Sequence, residues 1–387
     1  MKKLLSLLLA LGLLLSLVPA SAEYVDEDDE ELLIEDIIEE EPSEKQEILD
    51  TDGSSMITIT CTGDFTIGWD NYHRKDIFSR ELRDHGGDIN FTMANMKDIF
   101  REDDLTLVNF EGTLTDTTYV PDRKKNNDFL FNISPEYVSV LPDNHIEAVS
   151  LENNHVMDHG DEGYADTQRT LEEAGIVWSN SEHLGVFEVK GIQIAMLSYL
   201  CIDRYDTLWE KVPADIAAAQ DQYDLVIVSF HWGKELDYAP NNNQIRMGRL
   251  AVDSGADLVI GHHSHRINPI EEYKGVYICY SLGNFCFAGN TKPSDMSSFV
   301  FQIRYRVKDG VCTSRGFRII PIRISSKSSR NDFIPTPYTT GSNIDSVLTT
   351  LRSNGRNLEY AVPAGLRRLR ALLPEHLPQW HYQPCQL

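Results

Sequence analysis

The chain has 387 residues, 41% of them hydrophobic, and a formal net charge of −25. That apolar share is enough for a proper core, in one large domain or two of ordinary size. The acidic balance argues against nucleic acid as a partner, since a phosphate backbone selects clustered Lys and Arg.

The sequence begins Met1-Lys2-Lys3, continues in an apolar run over residues 4–18 and closes that run on Pro19-Ala20-Ser21-Ala22. A basic start, an apolar stretch and small residues at its end read as a secretory signal peptide, residues 1–22, cleaved after Ala22. The protein is therefore expected to be exported, extracellular or associated with a bacterial cell envelope. Residues 23–54 read as an acidic spacer, with sixteen Asp or Glu against one Lys between positions 23 and 52. Like charges repel, and such a block is expected to stay unfolded. No later stretch approaches the roughly 20 apolar residues of a membrane span. The six cysteines include no CxxC pair, and Cys61, Cys201 and Cys279 sit in apolar runs that suit buried thiols.

A folded domain is expected over residues 55–325. Residues 56–61 alternate as a strand should and lead into Gly63-Asp64, where the glycine allows a tight exit and the aspartate projects at the sheet edge. A helix is expected around residues 90–100. A second strand, 105–110, ends at Glu111-Gly112. The polar loop 119–128 carries Arg123, Lys124 and Lys125, which either face solvent or meet an anionic substrate. Ser134-Pro135 opens a short helix. A third strand, 146–151, ends in Asn153-Asn154-His155 and Asp158-His159-Gly160. A helix over 162–174 stops at Gly175. Residues 186–189 and 193–200 form a hairpin turned at Lys190-Gly191.

The most apolar strand, 225–230, ends at His231-Trp232-Gly233. A helix over 241–254 precedes a strand, 257–260, that stops at Gly261 and releases His262-His263-Ser264-His265. Another strand, 276–280, leads to Ser281-Leu282-Gly283-Asn284-Phe285. Two long alternating runs, 298–307 and 316–324, form an antiparallel pair. Residues 326–387 form a C-terminal extension without a motif, including the basic turn Leu366-Arg367-Arg368-Leu369-Arg370.

Successive strand ends thus carry Asp64, Glu111, Asn154 with His155, His231, and His263 with His265. Several of these strands are separated by helices, the βαβ pattern that lines strand ends along one edge. Carboxylate, carboxamide and imidazole without thiolate suit Mn²⁺, Fe or Zn²⁺. Acids able to bridge, with ligands enough for two ions, suggest two divalent metal ions.

Taken in order over residues 56–325, Gly63-Asp64, Asn109-Phe110-Glu111, Asn153-Asn154-His155 with Asp158-His159-Gly160, and His231-Trp232-Gly233-Lys234-Glu235 make a series. It continues in Gly261-His262-His263-Ser264-His265 and Ser281-Leu282-Gly283-Asn284-Phe285. The series resembles the motifs of CapA-type poly-γ-glutamate capsule synthesis proteins, which are in turn similar to calcineurin-like metallophosphoesterases. The resemblance implies an α/β fold, a four-layer αββα sandwich with a two-metal site. It makes Asp64 a ligand of the first metal and Glu111 the bridging acid. Asn154, His231 and His263 would hold the second metal, and His265 would return to the first. His155 would be the general acid. From the residues themselves, Asn109 reads as supporting the ligands, Asn284 as orienting a ligand or only capping a loop, and His262 and His159 as either supporting the ligands or facing solvent. One departure stands out: Asp64 is followed by Phe65-Thr66 where metallophosphoesterases carry Asp-x-His, so the first metal is one imidazole short. The bridging acid is also Glu rather than Asp.

Two readings follow. One is a metal-dependent hydrolase acting on an envelope or capsule substrate, in which water attacks phosphorus or a carbonyl and His155 protonates the departing group. The other is a non-catalytic accessory protein for export or anchoring of an anionic capsule polymer. Either implies a capsule or cell-envelope polymer as partner, together with capsule-synthesis membrane proteins.

Overall fold

A computed structural model describes residues 53–70, 77–124, 129–202 and 205–362. The expected signal peptide, the acidic spacer through residue 52, Lys125, Cys385 and the basic turn at 366–370 lie outside the described residues.

The chain runs β1 (Ser55–Thr66), β2 (Trp69–Asp70), α1 (Phe78–Asp84), α2 (Lys97–Arg101), β3 (Leu105–Phe110), β4 (Thr113–Leu114) and β5 (Phe131–Ile133). There follow β6 (Ala148–Ser150), α3 (Gly160–Glu173), β7 (Val177–Ser179), β8 (Gly185–Val189), β9 (Ile192–Cys201) and α4 (Leu208–Gln220). Next come β10 (Leu225–Trp232), α5 (Asn242–Asp253), β11 (Leu258–His262), β12 (Ile270–Tyr273) and β13 (Val276–Cys279). The described chain closes with β14 (Asn284–Phe287), β15 (Ser297–Lys308), β16 (Val311–Arg323), β17 (Thr336–Pro337) and α6 (Gly341–Asn354).

One sheet is ordered β17-β16-β15-β1-β3-β6-β7, with β14 also paired to β1; the second is ordered β12-β13-β11-β10-β9-β8. β1, β3, β6 and β7 are parallel neighbours, and so are β9, β10, β11 and β13. These strands are apolar on both faces, as parallel strands covered from both sides must be. Ile57, Ile59, Leu105 and Leu107 meet Met196, Ile227 and Ile260 between the two sheets. On its other face the first sheet packs Phe65, Phe110 and Val149 against Phe78, Phe100 and Leu171 of α1, α2 and α3. The second sheet packs Val226, Val228 and Phe230 against Ile216 of α4 and Met247 of α5. Helix, sheet, sheet, helix is the expected four-layer αββα sandwich.

Several local expectations hold. Lys190 and Gly191 both take positive φ, 49° and 76°, as a two-residue hairpin turn of primed type needs. The helix expected over 241–254 is α5, and Asn241 caps it in a capping box with Gln244. β15 and β16 pair antiparallel along their length. Elsewhere the chain departs from the sequence pattern. The helix expected at 90–100 is a 3-10 turn, Ile89–Met93, followed by the short α2. Thr92 turns its hydroxyl back onto the carbonyl of Ile89, a local bond that competes with a continuous helix. α4 was not foreseen: Pro213 lies inside it and masks the periodicity by which Val212, Ile216 and Ala219 reach the core.

The fold also continues beyond Ser325. β17 pairs with β16, Phe333 and Ile334 enter the core under α1 and α2, and Val347 and Leu351 of α6 enter the core between the sheets.

Candidate metal centre

The parity of the strands decides which side chains reach the gap between the sheets. In β10, Leu225 and Ile227 face the other sheet while Val226, Val228 and Phe230 face the helices, so His231 continues the inward row. β11 repeats this with Leu258 and Ile260, and it does not stop at Gly261: it runs on through His262, which sits in register beside His231. A Cβ on Gly261 would stand 2.2 Å from the carbonyl oxygen of Tyr280, so only glycine lets the strand pass this point. His262 therefore points inward, and the loop proper begins at His263.

β1 reaches the same place by a different device. Ile57, Ile59 and Cys61 face inward, and an unbroken strand would turn Asp64 to the opposite face. Instead the register with β3 slips between Cys61 and Asp64. This is a bulge, which inserts one residue and re-aims those that follow. Asp64 thereby comes level with Asn109. The bulged Gly63 lies against the carbonyl of Gly283, where a Cβ would be 1.9 Å from the oxygen. That carbonyl accepts from the amide of Asp64 at 2.9 Å.

The predicted side chains converge. Asn109 donates to Asp64 Oδ1 at 2.9 Å and stands 3.2 Å from His231 Nδ1. Asn154 Oδ1 lies 2.7 Å from His231 Nε2. His265 Nδ1 lies 2.9 Å from both Asp64 Oδ2 and Asn284 Oδ1, and His262 Nδ1 is 3.4 Å from Asp64 Oδ1. The His263 ring centre is 4.6 Å from that of His231 and 6.2 Å from that of His265. Asp64, Glu111 and His231 each offer a ligand atom, all within 4.8 Å of one another. His263 and His265 hold φ of 88° and 54°, a left-handed backbone uncommon outside glycine. The Leu236 amide on the Ser264 carbonyl and the Arg266 guanidinium on the His265 carbonyl fix them there.

Glu111 is fully buried, and neither carboxylate oxygen has a hydrogen-bond partner among the described residues. His155 Nε2 and His265 Nε2 approach its Oε1 only to 3.7 and 3.8 Å, beyond hydrogen-bond length. Burial, helped by the nearby Asp64 charge, pushes the Glu111 carboxyl well above its ordinary range despite the pull of His265. Burial would raise Asp64 too, but contact with His262 and His265 holds it well below. For His265 burial works downward, and Glu111 and Asp64 outweigh it, pushing the imidazole up to about 9. Burial, with His263 adding to it, keeps His231 well below its usual value and hence neutral, the form in which histidine ligates a metal. Two buried acids, one with both oxygens unsatisfied, beside a neutral imidazole and a carboxamide, are a donor set that fits divalent cations. A bound cation would compete with protons for these groups.

His155 stands at the edge of this cluster. Its Nδ1 is 2.7 Å from Asp158 Oδ2, and its amide donates to Asn153 Oδ1 at 3.0 Å. Asn153 in turn donates to the Phe110 carbonyl at 2.7 Å, tying the loop to the end of β3. Asp158, Asn153 and Arg266 carry no role in the linear pattern, and Lys124, expected to face solvent or an anionic substrate, instead donates to Asp158 and to the Asn154 carbonyl. For Asp158 the signal was its place three residues after His155; for Lys124 nothing in the linear pattern gives its partner. His159 is buried and bonds the Tyr119 carbonyl rather than joining the cluster. Trp232 and Phe285 are packing residues, both fully buried.

Among relatives, the PGA biosynthesis protein CapA of Bacillus subtilis is 34% identical over 248 residues, covering 58% of this chain and 63% of its own. The capsule biosynthesis protein CapA of Bacillus anthracis is 26% identical over 277 residues, covering 65% of each. The chain thus spans less than two thirds of the length of either relative. Among solved structures, calcineurin-like phosphoesterase YfkN from Bacillus subtilis aligns with a TM-score of 0.43 at 16% identity, covering 77% of this chain and 98% of that one. The model of the bacterial capsule synthesis protein PGA_cap matches residues 58–289, more than half of the sequence, and the chain belongs to that family.

Proposed function

We propose that this chain is an exported, metal-dependent hydrolase of capsule synthesis, acting on an anionic envelope polymer of the poly-γ-glutamate type or on a phosphoester met during its assembly. The observation that carries the reading is Glu111, a buried carboxylate with both oxygens unsatisfied, facing Asp64 and His231 across less than 5 Å. Two ions, Mn²⁺, Fe²⁺ or Zn²⁺, would be held by Asp64, Glu111 and His265 on one side and Asn154, His231 and His263 on the other, with Glu111 between. Bound there, they would activate water and draw charge from the oxygens of the scissile group. To protonate the departing group from Nε2, His155 carries both ring protons: Asp158 accepts the one on Nδ1 and fixes the ring orientation, and Nε2 delivers the other. Asn109 holds Asp64 and His231 in place, Asn284 does the same for His265, and His262 adds a second imidazole against Asp64. The names of the relatives support the capsule role, and the pattern of residues 1–22 supports export with mature protein beginning at Glu23.

The test is metal analysis of the protein reconstituted with Mn²⁺, Fe²⁺ or Zn²⁺, paired with hydrolysis of bis(p-nitrophenyl) phosphate and of poly-γ-glutamate. Two ions per chain and turnover abolished by His263→Ala are expected, and the substrate cleaved names the bond. Failure to bind any of the three metals would overturn the site. Binding without turnover would leave a non-catalytic partner of the polymer or of membrane proteins that make it.

A further inference from the structure

The segment after β4, described through Lys124, is bolted to the His155 segment, and the bolt is Lys124. Its side chain is 13% exposed, and the ammonium donates to Asp158 Oδ1 at 2.6 Å and to the Asn154 carbonyl at 2.7 Å. Asp158 is fully buried, and its other oxygen takes His155 Nδ1 at 2.7 Å and the Phe131 amide at 2.9 Å. The same loop is seated by further contacts: the Tyr119 carbonyl meets His159 Nδ1 at 2.8 Å, and Tyr119 and Pro121 lie over Gly160. A Cβ on Gly160 would come within 3.1 Å of the Tyr119 ring, so the glycine makes the seat. Arg123, beside Lys124, is exposed and takes no part.

We infer that Lys124 is the positioning residue of this site, holding the proton donor His155 through Asp158 and the metal ligand Asn154 through its backbone carbonyl. The inference rests on the reading of His155 and Asn154 given above. A buried carboxylate shared by an ammonium, an amide and an imidazole has its geometry set by all three, because each donor occupies one lone-pair direction. Without the ammonium, Oδ1 loses its partner among the described residues, and the carboxylate keeps only the two donors on Oδ2 to set its angle toward His155. Among the described residues Lys124 makes no hydrogen bond or ion pair with Glu111 or His231, so its effect passes through Asp158 and Asn154.

Three variants separate positioning from simple tethering. Lys124→Arg keeps the charge, Lys124→Gln keeps a donor for the Asn154 carbonyl without charge, and Lys124→Met removes both. The first readout is the hydrogen-bonded Nδ1 proton of His155, followed by NMR in metal-free and in Zn²⁺-loaded protein. It is expected to persist in wild type and Lys124→Arg and to vanish in Lys124→Met and Lys124→Gln, with melting temperatures reported alongside. The second readout is leaving-group dependence: loss of a placed proton donor slows esters with alkyl leaving groups by about 10²-fold and p-nitrophenyl esters only a few-fold, with KM little changed. Persistence of the proton and of the leaving-group profile in folded Lys124→Met and Lys124→Gln would overturn the inference, leaving Lys124 as a loop tether. If the protein hydrolyses nothing, the proposed function fails, while the resonance in the metal-free protein still decides the role of Lys124.

Discussion

Glu111 concentrates the conflict of this site in one side chain. A buried group left without its hydrogen bonds costs ~1–3 kcal/mol, and more when charged, so the fold carries at its centre a residue that weakens it unless a cation arrives. Glu111→Gln is therefore expected to bind Mn²⁺ or Zn²⁺ at least about 10-fold more weakly, as loss of a metal-site partner does. The same variant should melt at the same temperature as metal-free wild type or above it. Melting curves with and without metal check both parts: a variant that is less stable than metal-free wild type would show that Glu111 has a structural partner instead. At this scale the sequence revealed what sits on the strand ends, because Asp64, Glu111, His231 and His265 each follow an apolar run. The inward course of His262 is legible in the sequence too, since Leu258, Ile260 and His262 share one parity. Lys124 was beyond it, because the bond to Asp158 joins a loop to a residue 34 positions away.

At the scale of elements, the bulge in β1 does the placing. It turns Asp64 inward and closes β1 against the loop before β14, and both depend on Gly63 having no side chain. Gly63→Ala would drive a methyl into the Gly283 carbonyl at 1.9 Å. Backbone must then shift on one side, which costs roughly 1–3 kcal/mol or more, and the shift moves Asp64 and Asn284 together. Metal affinity should fall by about 10–100-fold, the range seen when supporting groups are displaced. Gly191→Ala in the hairpin is the contrasting case. Its φ is 76° with no neighbour within 4 Å, so it should lose about 1 kcal/mol and no metal affinity. Titration calorimetry with Mn²⁺ on both variants separates the two; equal effects would mean that the bulge does not position the site. Strands with clear alternation were legible, as were the capped α5 and the Lys190-Gly191 turn, since their signals are local. The bulge was not, because a register slip is a relation between two strands, and α4 was hidden by its own proline.

The whole molecule draws on residues well past the motif series. Phe333, Ile334, Val347 and Leu351 are buried in two different cores, at ~1.5–3 kcal/mol each. Their sum is comparable to the ~5–15 kcal/mol that holds a domain folded, so a chain ending at Ser325 should aggregate or unfold, as circular dichroism and gel filtration would report. Far from the metal cluster, the half-buried Asp257 ties the layers together at the start of β11, accepting from the Val226 amide at 2.8 Å and from Gln220 of α4 at 2.9 Å. Burial outweighs those two bonds and pushes its carboxyl up to about 6. A carboxyl raised on folding binds its proton more tightly in the native state, so its stabilising contribution is complete below the ordinary value near 4 and is lost as pH rises through 6. Asp257→Asn keeps an acceptor and has no proton to lose. Relative to wild type, the variant should therefore gain stability between pH 4 and pH 7, by at most about 3 kcal/mol at ~1.4 kcal/mol per pH unit. Urea unfolding of both proteins across that range, compared as a difference, cancels the other carboxylates. A flat difference would show that Asp257 keeps an ordinary carboxylate in the fold, its two hydrogen bonds balancing its burial.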